Sequence, residues 1–129
     1  MIQDAYQSYQ AIDLNSQTAQ ASPVQLILIL MNGLQDELAR ARAHISAERF
    51  EQKANSINRC ISILTGLSSA LDMDSGAEVV AQMAEIYDYC SRRLHEAGVT
   101  MDNSLIDEVG GLLRTLQSGW EEKQVAVHA

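Results

Sequence analysis

The chain has 129 residues, 47% of them hydrophobic but only 5% aromatic, with 7 glycines, 1 proline and a formal net charge of −8. That length suits one domain with a sizeable core, and the scarcity of aromatics and turn residues argues against a β-sandwich and for helices. The charge disfavours a nucleic-acid partner, which needs a basic surface to release counterions, and an anionic membrane surface would repel it.

Residues 1–21 stand apart from the rest. "DAYQSYQAIDL" suits a short helical cap with Tyr6, Tyr9 and Ile12 near one side, and "NSQTAQAS" a polar connector. No Lys or Arg precedes Arg40, so no basic signal-peptide region is expected. The first long helix begins at Ser22-Pro23: serine as N-cap, proline at the first helical position and Gln25 at the third make a capping box. Leu26, Leu30, Leu34, Leu38, Ala41 and Ile45 then mark one face. The run Leu26-Ile27-Leu28-Ile29-Leu30-Met31 circles the whole helix, since each residue turns by about 100°. It is far too short to span a bilayer, yet one core stripe does not cover it.

The second helix is expected over about 48–71, with Phe50, Ala54, Ile57, Ile61, Leu64, Ser68 and Leu71 at heptad spacing. After "DMDSG", Ser75 with Glu78 forms a plausible second capping box. The third helix runs to about Ala97 on Val79, Met83, Ile86, Cys90, Leu94 and Ala97, with Gly98 as its natural stop. The fourth starts near Asn103 and carries Leu105, Val109, Leu112, Leu116 and Trp120; residues 125–129 are expected to fray. Short connections between helices of similar length imply an all-α, antiparallel up-down four-helix bundle over 22–124, in a single domain spanning 1–129.

Each helix also carries apolar residues beside its stripe: Leu28 and Ile29 on the first, Cys60, Ile63 and Leu67 on the second, Val80, Ala84 and Tyr87 on the third, and Ile106, Gly110 and Leu113 on the fourth. Broad core stripes are one explanation. Repetition on all four helices favours a second apolar surface, which would suit a client helix laid in a groove. Gly110-Gly111 is unusual inside a helix; close approach of another backbone and a local kink both remain open.

Catalytic and cofactor chemistry is not proposed by any motif. Neither His44 nor His95 has a glutamate three residues before it, which removes the di-iron pattern of helical bundles. There is no Cys-x-x-Cys, zinc spacing or phosphate loop. Cys60 and Cys90 read as reduced thiols in or near the core of a cytoplasmic protein.

"TAQASPVQLILILMNG" resembles the opening helix of the FliS-type flagellin export chaperones. "ISILTGLSSALDMDSGAEVVAQMAEIYDYCSRRLHEAG", with Tyr87, Asp88 and Tyr89, is similar to that family's second and third helices, and "EVGGLLRTLQSGW" to its last. The likeness extends from Tyr6 to Trp120. It implies a cytosolic protein, not an enzyme, that takes no cofactor. Such a protein binds the disordered C-terminal region of flagellin, prevents premature polymerisation and supports delivery to the flagellar type III export gate. In the family the client wraps the bundle as helical segments, and the chaperone's own N-terminal segment can occupy the client surface beforehand. Met31-Asn32 stands where the family usually has tyrosine-aspartate, Ala97-Gly98 where alanine-asparagine is common, and Ala19-Gln20 is inserted ahead of the serine-proline core. The competing expectation is a helical adaptor that self-associates through the second strip.

Overall fold

The computed structural model describes residues 22–128, with side chains described for 22–122. The expected cap residues Tyr6, Tyr9 and Ile12 lie outside the described residues. Among the described residues four α-helices follow in order: α1 Pro23–Ser46, α2 Phe50–Ser69, α3 Glu78–Thr100 and α4 Asn103–His128, with a 3-10 turn at Met73–Ser75 between α2 and α3.

The start of α1 is the expected capping box. The Ser22 hydroxyl accepts from the Gln25 amide at 3.1 Å, and the Gln25 side chain accepts from the Ser22 amide at 2.7 Å. Glu48 turns left-handed, at φ 55°, to reverse the chain into α2. The second capping box does not form. Gly76, at φ 69°, bends the chain between Ser75 and the helix; α3 starts at Glu78 with Ala77 as N-cap, and the Ser75 hydroxyl is used on the Ala77 amide. Nor does Gly98 stop α3, which continues to Thr100 and ends at Met101 in the left-handed region, with the Asp102 amide reaching back to the Ala97 carbonyl. Gly98 instead permits close packing: a Cβ there would meet Ile57 Cδ1 at 3.1 Å, and Lys53 Nζ donates to its carbonyl at 2.7 Å. In α4 the helical backbone continues through 125–128, the stretch expected to fray; "EEKQ" before it holds no glycine or proline to end it.

α1 packs against α2 and α4, and α3 packs against the same two, which closes the helices into an antiparallel ring. The core at its centre is built from Met31, Leu34, Leu38, Ala41 and Ile45 of α1, Ile57, Cys60, Ile63, Leu64 and Leu67 of α2, Tyr87, Cys90, Leu94 and Ala97 of α3, and Leu105, Ile106, Val109 and Leu113 of α4. Polar contacts hold the first half of α4 from both sides. Arg42 of α1 makes a two-pronged pair with Asp107 at 2.9 and 3.0 Å. From α3, Arg93 Nε and the Tyr89 hydroxyl donate to the two oxygens of Glu108 at 2.8 and 3.0 Å. Among the described residues one acid is buried: Glu37, paired with Arg40 at 2.6 Å and Arg59 at 3.4 Å.

Candidate interaction groove

The second apolar strip does not lie on the surface as a strip. Leu28, Cys60, Ile63, Leu67, Tyr87, Ile106, Gly110 and Leu113 are buried. Conversely, several residues assigned to the core stripe are open: Leu26 is 38% exposed, Phe50 60%, Val79 60% and Leu112 37%. In a closed ring each helix touches two neighbours, so its buried arc is wider than a heptad seam and centred elsewhere. Ile29 and Ala84 are half-buried.

The surplus apolar surface collects at one end of the ring, where α1 and α3 begin and α2 and α4 approach their ends. A groove of about 470 Å³ opens there. Ile27 lines it from α1, Leu67 and Leu71 from the end of α2, Val79, Val80, Met83 and Tyr87 from α3, and Leu116 and Trp120 from α4. Small residues at Ala70 and Gly119 leave space between the larger ones. Of the expected strip residues the groove unites Leu67, Val80 and Tyr87. Ile106 and Gly110 instead line a smaller, polar crevice of about 160 Å³ between α1 and α4, with Gln35, Arg42, Asp107 and Arg114. Ile27 was missed by sequence reasoning, and Leu71, Met83, Leu116 and Trp120 were assigned to the core. Their shared signal is position near helix ends on one side of the bundle, which becomes visible only once the helices are laid antiparallel.

Among the described residues no backbone of another helix approaches Gly110-Gly111 closer than 3.8 Å to an added Cβ. A Cβ at Gly110 would meet only the Arg114 guanidinium and the Gln35 oxygen, at 3.6 Å and beyond, and one at Gly111 would meet nothing within 4 Å. Gln35 Nε2 donates to the Gly110 carbonyl at 3.2 Å, so the contact there is made by a side chain.

Burial keeps the phenol and the thiols at and near the groove neutral. Burial, with the nearby Cys90 second, pushes the Tyr87 phenol up to about 12. Burial likewise raises Cys90 to about 11 and Cys60 further still, so both thiols remain protonated and poorly nucleophilic. Among the described residues no group of three or more His, Cys, Asp or Glu is placed to hold a metal ion, and no helix is long and apolar enough to cross a membrane.

Fold and groove together define an all-helical bundle with an apolar groove at one end. The family model described as flagellar protein FliS matches residues 5–127. The flagellar secretion chaperone FliSB of Pseudomonas aeruginosa is 38% identical over 117 residues, which cover 91% of this chain and 93% of that one. The flagellar secretion chaperone FliS of Salmonella typhimurium is 34% identical over 116 residues, covering 89% and 86%, and that of Bacillus subtilis 29% identical over 121 residues, covering 94% and 86%. The chain belongs to the FliS family of flagellar secretion chaperones.

Proposed function

We propose that this protein is a cytosolic chaperone of flagellar export that binds the disordered C-terminal segment of flagellin, keeps it from polymerising and supports its delivery to the export gate. The observation that carries this reading is the apolar groove at one end of the bundle, in a chain whose family is one of flagellar secretion chaperones. A segment that must later assemble is apolar yet unfolded before export. Folding it as helix into the groove buries its apolar face, while the entropy lost on ordering moderates affinity and keeps release accessible. No cofactor or catalytic step is required.

The N-terminal segment is the groove's resting cover in this reading. Helix α1 begins at the groove end, one turn before Ile27. In the segment before it, Tyr6, Tyr9 and Ile12 supply apolar side chains of the right kind. Displacing such a cover lowers apparent client affinity by the cover's own stability.

Calorimetric titration with the C-terminal segment of flagellin from the same genome, with circular dichroism on the mixture, tests the reading. Binding with a negative heat-capacity change and gained helicity supports it. Deleting residues 1–17 should leave the bundle folded and tighten binding. No binding by a soluble, unfolded segment refutes flagellin as the client, and concentration-dependent dimerisation without client would then favour the self-associating adaptor.

A further inference from the structure

Tyr87 is the polar anomaly of the groove. Its ring belongs to the core and the residue is 2% exposed, yet it lines the groove. Of the other polar residues there, Asp72 is solvent-exposed, and the Thr115 hydroxyl donates to the Gly111 carbonyl at 3.2 Å. Among the described residues the Tyr87 hydroxyl has no hydrogen-bond partner. It is also absent from the fully enclosed unpartnered atoms, which among the described residues are Ser56 Oγ and Asn103 Oδ1. Tyr87 thus brings to the groove lining a hydroxyl that no described residue engages. With the phenol pushed up to about 12, it is a neutral donor and acceptor at any physiological pH.

A single unsatisfied hydroxyl in an apolar groove is costly if an apolar occupant seals it, and specific if the occupant brings a partner. An apolar helix offers few polar groups on its buried face. Its interior main-chain groups bond to one another, and those of the first and last turns remain free. We infer that the Tyr87 hydroxyl is a specificity contact for the client, hydrogen-bonding a free main-chain group at one end of a client helix seated in the groove. The inference rests on the client-binding reading above and adds where the client helix must end.

The test is Tyr87→Phe in the full chain, which keeps ring and volume and removes only the hydroxyl. Thermal melts should be unchanged or raised, because no hydrogen bond to a described residue is lost. Affinity for the flagellin C-terminal segment should fall about three- to tenfold, the range for one neutral hydrogen bond. Amide exchange on the bound segment should lose protection in one terminal turn of one client helix and nowhere else. Equal affinity of wild type and Tyr87→Phe overturns the inference while leaving the client reading intact. A lowered melt also overturns it, because the hydroxyl would then be bonded within the chain itself. Failure of the wild type to bind the segment removes the client reading, and this inference with it.

Discussion

Replacing both glycines of the pair, Gly110→Ala with Gly111→Ala, should stabilise the protein. Both lie within α4, and neither has positive φ, so alanine meets no backbone strain. At Gly111 the new methyl enters open space. At Gly110 it makes ordinary contact with the ends of two long side chains, Arg114 and Gln35, which can yield. What remains is the helix preference of alanine over glycine, about 0.8–1 kcal/mol per site, much of it from restricting the unfolded chain. Two sites sum to about 1.5–2 kcal/mol. For a chain of this size, unfolding entropy converts that to a rise in Tm of roughly 6–8 °C. Far-UV circular dichroism melts and urea midpoints at matched conditions measure it. A double variant that melts below the wild type would refute the reasoning, because it would require that α1 approach α4 more tightly than the Gln35 contact allows.

Other outcomes follow from the same packing. Ile63→Ala and Leu64→Ala should each cost ~2–5 kcal/mol by urea unfolding, since both side chains are buried in the core; a much cheaper Ile63→Ala would mean that its face is open. Gly76→Ala should destabilise by about 1 kcal/mol, because the left-handed turn before α3 disfavours a Cβ. Stability should fall as pH drops below about 6.5. The His44 ring is held below its usual pKa, first by partial burial and then by Arg49, whose Nε donates to its Nδ1 at 2.9 Å. The unfolded chain therefore takes up this proton first, and stability present above the unfolded pKa is lost as pH falls through the folded one. Urea midpoints at pH 7.5 and 5.5, with His44→Gln as control, should show the difference shrink in the variant.

Local features were legible in the sequence, and the features that depend on neighbours were not. The Ser22-Pro23-Gln25 start needs only four consecutive residues, and it formed as read. The number and order of the bundle helices followed from periodicity and short breaks. The choice of buried face did not. Periodicity shows that α2 is apolar over an arc holding Ile57, Cys60, Ile63, Leu64 and Leu67; it does not show that α1 and α3 together cover all of it while Phe50 is left outside. Gly98 looked like a helix stop because a glycine after a basic stretch usually is one. Its use is set by Ile57 and Lys53 some forty residues away. Ser75 failed as a cap for a similar reason, since the left-handed turn at Gly76 displaced the helix start.

The apolar run that opens α1 makes sense once polar and apolar contacts are seen to separate along the bundle axis. At the far end from the groove, Arg42–Asp107 and Arg93–Glu108 hold α4 against α1 and α3. At the groove end Gln117 of α4 donates to Asn32 of α1 at 2.6 Å, and the described surface there is largely side chains such as Leu26, Leu71, Val79 and Met83 that are exposed or half-buried. Burying apolar surface stabilises by about 25 cal/mol per Å². An occupant of the groove therefore gains from side chains that are already open, without breaking the ion pairs or exposing Leu64 or Leu94. If that is how the client binds, amide exchange of residues 100–110 should be the same in free and loaded protein, while residues 24–31, 67–71 and 79–87 gain protection. Loosening of 100–110 on loading would mean instead that the bundle opens to admit its client, and that the buried line through Ile63, Ile106 and Leu113 is exposed in the complex.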